Sequence, residues 1–132
     1  MKGKVLLIAG LVLLAGCELS KGVAVDKGKD MVASTLKDPG SAKFGRVFMN
    51  EESKIGDTTY GALCGTVNSK NSFGGYTGEH RFSAQFQFSK GGSLSLSDLQ
   101  LEEGTLAELG PDGKSLFETH YWQNRCVEKI GS

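Results

Sequence analysis

From Glu79 to Phe88 apolar and polar positions alternate: His80, Phe82, Ala84, Phe86 and Phe88 fall on one side, Glu79, Arg81, Ser83, Gln85 and Gln87 on the other. A period of two predicts a strand in a sheet with one buried and one wet face. Lys90-Gly91-Gly92 offers a tight turn, after which Leu94 and Leu96 resume the alternation in residues 93–97. Leu99 and Leu101 then take the opposite parity, which predicts a bulge or strand end at Asp98. Upstream, residues 43–49 are rich in Phe and Val, and residues 58–68 carry a β-branched and aromatic bias between polar turns. Both read as strands.

Helical spacing appears at either end of this β-rich middle. Val25, Val32 and Leu36, with Met31 beside them, fit one face of a short amphipathic helix over residues 25–37. Asp38-Pro39-Gly40 stops it, because proline pushes the preceding residue out of the helical region and glycine suits the turn. Residues 102–114 read as a loop around the turn Pro111-Asp112-Gly113. Ser115 and Glu118 then match a capping box and open a terminal helix to about Lys129. On it Leu116, Val127 and Ile130 are placed near one face with Cys126, while Phe117 with Tyr121, and Trp122 with Cys126, form i,i+4 pairs. The predicted fold class is α+β: an N-terminal helix, an antiparallel sheet of about four strands and a C-terminal helix on that sheet.

The first residues do not belong to this fold. Lys2 and Lys4 precede an apolar run from Val5 to Ala15 that is about half the roughly 20 residues a bilayer-spanning helix needs. A basic start, a short apolar middle and a small-residue exit predict a secretory signal over residues 1–16. Its removal leaves 13 basic against 15 acidic residues, a formal charge of −2, with the cations scattered. A concentrated basic patch for nucleic acid is absent from this pattern, so no nucleic-acid partner is expected. Glycine, at 19 residues, is about twice its usual share and points to glycine-dependent turns.

The run ends in Leu14-Ala15-Gly16-Cys17. This resembles the lipobox of bacterial lipoproteins at all four positions. The resemblance implies that the Cys17 thiol receives a diacylglyceryl group, that signal peptidase II cuts before it, and that the new amino terminus is acylated, palmitate being a typical chain. Two or three acyl tails make a permanent anchor, since each buried methylene contributes roughly 0.8 kcal/mol. Glu18 follows, where aspartate is the usual signal for retention in the inner membrane; the implied address is therefore the periplasmic face of the outer membrane. On this reading residues 17–24 are a lipidated tether, and residues 25–132 form a single domain. With Cys17 carrying lipid, Cys64 and Cys126 remain, and the periplasm favours a disulfide between them. Zinc is the competing reading, with His80 and His120 completing a four-ligand set. The close paired spacings of zinc sites are missing, so no metal and no cofactor is expected.

Two further stretches, LKDPGSAKF at 36–44 and CGTVNSKNSFGGYTGEHRF at 64–82, resemble a pattern in small exported proteins of proteobacteria and their phages. The matching positions are Asp38, Pro39, Ser41, Ala42 and Phe44, then Cys64, Gly65, Val67, Asn68, Lys70, Asn71, Phe73, Gly74, Gly75, Tyr76 and Gly78. This likeness implies a fold and supplies no reaction. From its residues, the second stretch reads in two ways. It is either a binding loop, in which Phe73 and Tyr76 supply contact area and Asn68, Lys70 and Asn71 polar contacts, or a hairpin whose aromatics fold back on the sheet while its asparagines hold the turn.

Catalytic constellations are sparse. Gly75-Tyr76-Thr77-Gly78 has the outline of a KH loop, but that loop joins helices. Phosphate-binding and nucleophilic-serine signatures are missing. Cys64 in a disulfide has no thiolate to offer. Glu51-Glu52 and Glu102-Glu103 fall in expected turns and read as solvated charge. The expected function is thus that of a non-enzymatic, lipid-anchored envelope protein that binds another envelope component. The alternatives are a phage or mobile-element exclusion lipoprotein that blocks a receptor or transfer machine, and a periplasmic enzyme or enzyme inhibitor.

Overall fold

The computed structural model describes residues 21–128. The expected secretory signal over residues 1–16, Cys17 and the expected helix end at Lys129 and Ile130 lie outside the described residues.

Helix α1 spans Lys21–Ser34, so it starts inside the stretch expected to be tether and stops short of Lys37. Its buried stripe is Ala24, Gly28 and Val32, not the Val25, Val32 and Leu36 face that the pattern of large apolar residues suggests. The reason is the closeness of helix and sheet: a Cβ on Gly28 would stand 2.6 Å from a methyl of Leu63. Small residues let the backbone approach, and Leu36 reaches the core from the turn beyond the helix. Ser34 and Thr35 donate their hydroxyls back to the carbonyls of Met31 and Val32, which closes the last turn. A single 3-10 turn, Pro39–Ser41, then leads into the sheet.

The sheet is an antiparallel meander in the order β1-β2-β3-β4, with β1 Lys43–Ile55, β2 Thr58–Asn68, β3 His80–Ser89 and β4 Leu94–Leu101. Strand β1 runs well past Met49, because two bulges, at Phe44/Val47 and Glu51/Ser53, let it coil around β2 without breaking the ladder. Each bulge lies beside a glycine of β2. A Cβ on Gly65 would meet the Arg46 carbonyl oxygen at 2.7 Å, and one on Gly61 the Asn50 carbonyl oxygen at 2.1 Å. Glu51 and Glu52 consequently lie on this strand and not in a turn.

One face of the sheet packs under α1, where Val32, Leu63, Val67 and Phe82 are fully buried and Phe44 meets Phe82 edge-on at 6.1 Å. The predicted parity change is real. The β3–β4 register shifts between Ser83 and Gln85, Asp98 adopts a φ of 48°, and Leu96, Leu99 and Leu101 all reach the core.

The opposite face is wet for only part of its length. Gln85 and Gln87 are exposed as expected, but Ser83, Ala62 and Cys64 are buried beneath the C-terminal helix, residues 116–125. That helix consists mainly of a π-helical stretch, Glu118–Trp122, and an α-helical end, Gln123–Arg125. Its inward side is Phe117, Trp122 and Cys126, whereas Leu116 and Val127 are each 39% exposed, contrary to the face expected for them. The wider π turn brings Trp122 within 6.2 Å of Phe117, in addition to the Phe117–Tyr121 pair at 5.9 Å. A disulfide joins Cys64 of β2 to Cys126, with a Cα–Cα distance of 5.8 Å. This bond and Trp122, edge-on to Phe48 at 6.3 Å, staple the helix to the sheet.

Candidate functional site

The segment between β2 and β3, residues 69–79, is a small hairpin of its own. Lys70 and Tyr76 pair across it, Thr77 donates its N–H to the Ser69 carbonyl at 3.2 Å, and Asn71 donates to the Gly75 carbonyl at 2.8 Å. The Asn71 side-chain oxygen accepts the N–H groups of Phe73 at 2.9 Å and Gly75 at 3.2 Å. The Asn68 side-chain oxygen accepts the Gly78 N–H at 3.1 Å. Gly74 and Gly78 have φ of 83° and 101°, a region that side chains resist, which accounts for glycine at these positions. Asn68 and Asn71 are therefore holders of the turn.

The two aromatics part company. Tyr76 folds back: its hydroxyl donates to the Ser41 carbonyl at 3.1 Å, and its ring carries the Lys43 ammonium at 4.5 Å and the Lys70 ammonium at 5.5 Å from the centroid. Ser41 also accepts the Lys70 N–H on its hydroxyl at 2.8 Å, so the segment after α1 and the loop brace each other. Phe73 stands at the tip and is 96% exposed. Holding a phenyl ring in water on a pinned backbone forgoes about 1.5–3 kcal/mol that burial would contribute. The loop thus carries one exposed apolar group at its tip, while its Tyr76 ring gathers two ammonium groups, one of them from β1.

A second cluster went unseen in the sequence. Arg81, on the polar side of β3, donates to both carboxylate oxygens of Glu102 at 2.7 and 2.8 Å and pairs with Glu118. Ser115 donates its hydroxyl to Glu102 at 2.5 Å and accepts the Glu118 N–H at 3.0 Å, so it caps the helix as predicted. Glu118 does not reach back to complete the box; it pairs with Arg81. The guanidinium lies 5.0 Å from the Trp122 ring and 5.8 Å from that of Phe117. Hydrogen bonds from Arg81, opposed by desolvation and helped by Ser115, hold the Glu102 carboxyl below its ordinary range, and the two carboxylates raise the Arg81 guanidinium. Glu102 is therefore a working ion-pair partner and not solvated charge. The available signal was an arginine on the sheet's polar face followed by a helix with three aromatics that needed something to lie on.

His80 hydrogen-bonds the Glu102 backbone carbonyl through Nδ1 at 3.0 Å and Thr77 through Nε2 at 3.2 Å, so it braces the loop base and does not address a carboxylate. His120 is exposed beside Tyr121. Cys64 is in the disulfide and has no thiol to react. Among the described residues no group of three or more His, Cys, Asp or Glu side chains is arranged to hold a metal, and no helix is long and apolar enough to cross a membrane.

Comparison with protein-family models, curated proteins and solved structures gives no match.

Proposed function

We propose that this chain is a lipoprotein anchored through acyl chains on Cys17 to the periplasmic face of a bacterial outer membrane, where it binds another envelope protein through the 69–79 loop and performs no chemistry of its own. The observation that carries the binding half is Phe73, almost wholly exposed on a loop whose backbone is already fixed by Asn68 and Asn71. A preorganised apolar anchor loses little entropy on docking, and large aromatic side chains dominate the energetics of small interfaces. Lys43 and Lys70, gathered on the Tyr76 ring of the same loop, call for a partner that carries carboxylates as well as an apolar pocket.

The anchoring half rests on the lipobox and agrees with the direction of the chain. Lys21, the first residue of α1, pairs with Glu51 at 3.0 Å near the β1–β2 hairpin, whereas the Phe73 loop leaves from the other end of the strands. Eleven residues of β2 at about 3.3 Å each separate the two ends by roughly 35 Å. A lipid on Cys17 would hold one end at the bilayer and present the loop away from it. Confinement to that layer raises the effective concentration against a fixed partner, so modest affinity suffices.

Affinity capture from bacterial envelopes tests this, with wild type, Phe73→Ser and Cys17→Ala chains. A partner recovered with wild type, lost with Phe73→Ser and reduced with Cys17→Ala supports both halves. Recovery indifferent to Phe73 removes the loop, and failure to incorporate labelled fatty acid removes the anchor.

A further inference from the structure

His80 opens β3 at the foot of the 69–79 loop, and both of its ring nitrogens are engaged. Nδ1 stands 3.0 Å from the Glu102 backbone carbonyl, which can only accept, so Nδ1 carries a hydrogen whatever the charge on the ring. That fixes the neutral tautomer: Nε2 keeps its lone pair and can only accept, from the Thr77 hydroxyl 3.2 Å away. The same hydroxyl lies 3.4 Å from the carbonyl of Ser69, on the opposite arm of the loop. It has one hydrogen for two acceptors. While the ring is neutral, donation to either leaves the other without it.

Protonation ends that competition. An imidazolium Nε2 donates to the Thr77 oxygen, the hydroxyl hydrogen turns to Ser69, and every donor in the row has an acceptor. The Ser69 carbonyl then receives the Thr77 hydroxyl in addition to the Thr77 N–H at 3.2 Å, so the two arms of the loop are joined twice at one point. We propose that His80 is a proton-operated latch: uptake of a proton at Nε2 redirects the Thr77 hydroxyl to Ser69 and tightens the loop that carries Phe73. Its consequence for partner binding, which would strengthen toward acid, rests on the loop reading above; the latch itself stands on the geometry at the loop base.

The charged groups around the ring accept a positive charge there. The Glu102 carboxyl is held low chiefly by hydrogen bonds from Arg81, and charge on His80 lowers it further. Glu79, the preceding residue, accepts the Thr66 hydroxyl, and Glu103 is exposed. Arg81, the neighbouring cation, is bound by Glu102 and Glu118. Across the ladder His80 meets Val67, which has no charge. Histidine is the side chain that ordinarily changes charge between about pH 5 and 8, which sets the window for the test.

Amide hydrogen exchange is followed by nuclear magnetic resonance on the exported full chain in a neutral detergent, whether or not it is acylated. From about pH 7.5 to about pH 5, protection of the Thr77 and Gly78 amides is expected to rise about threefold or more after correction for intrinsic exchange, the worth of one modest hydrogen bond. The Leu63 and Cys64 amides of β2 report the sheet and are expected to stay level. Thr77→Val, which keeps the shape and loses the hydroxyl, and His80→Gln, which does not titrate, each abolish the rise, whereas Thr77→Ser retains it. If His80→Gln does not fold, the two Thr77 variants decide. Phe73→Ser also retains the rise, so a failed latch and a failed docking residue are read separately. Protection that is unchanged or lower at acid pH, a rise that survives Thr77→Val, or a rise shared equally by the β2 amides overturns the proposal.

Discussion

Replacing Cys64 and Cys126 together by alanine removes a cross-link between positions 62 apart, from the middle of β2 to the end of the C-terminal helix. In the chain-entropy account, freeing a loop of that length returns to the unfolded chain about 4 kcal/mol of conformational freedom. Both sulfurs are buried, so the lost packing adds to this figure. What still holds the helix is the Arg81 pairing, the stacking of Phe117, Tyr121 and Trp122, and the contacts of Arg125 with Asp98, Ser83 and Asn50. Against a usual stability of about 5–15 kcal/mol, the loss is large but leaves room for a folded variant. Trp122 is the only tryptophan and lies edge-on to Phe48 at the stapled contact, so urea unfolding followed by its fluorescence reads the relevant interface. With an m-value of about 1.5 kcal/mol/M, the midpoint is expected to fall by about 3 M. A double variant within 1 kcal/mol of wild type would refute the reasoning and show that the helix is held by its side-chain contacts alone.

Arg81→Met leaves Glu102 and Glu118 facing each other under the aromatic rings and is expected to cost about 2–3 kcal/mol by urea unfolding, with part of the loss restored by adding Glu118→Gln. Because Arg81 lowers the Glu102 carboxyl in the folded state, its stabilisation is present above the unfolded value near 4.3 and disappears as pH falls through the lower folded value. Melting temperatures measured from pH 7 down to pH 3 should therefore drop more steeply for wild type than for Glu102→Gln. Gly61→Ala drives a methyl against the Asn50 carbonyl and should cost about 2–3 kcal/mol, accompanied by faster amide exchange along β1. Phe73→Ser should change stability by no more than about 0.5 kcal/mol while eliminating partner capture.

The β-rich middle was legible because its large apolar residues alternate, and even the bulge at Asp98 showed as a parity change among leucines. The Cys64–Cys126 pairing and the Ser115 cap were legible for a similar reason: each depends on residue types with few alternative partners. What escaped was encoded by smallness or by distance along the chain. A helix that touches its sheet through Ala24 and Gly28 carries no stripe of large residues, so periodicity selected Val25 and Met31 beside the true face. The π turn sets the inward side of the last helix at Phe117 and Trp122, where ordinary helical pitch places Leu116 and Val127. For the loop, the asparagines hold the turn and Tyr76 folds back, as the hairpin reading expects, while Phe73 does not fold back and stays exposed at the tip. Arg81, Glu102 and Glu118 are 16 or more positions apart at their nearest, and nothing local announces that they meet.

The meander leaves two outer strands, and neither is a clean template. Strand β1 is interrupted twice by bulges. Strand β4 is kinked at Asp98, whose carbonyl accepts a hydrogen bond from Arg125 at 3.1 Å and whose carboxylate pairs with the same guanidinium. A second copy seeking to add its strand to either border meets a broken row of donors and acceptors. The molecule can thus be crowded side by side at high local density without zipping into extended β-assemblies, and its irregular borders act as insurance against self-aggregation.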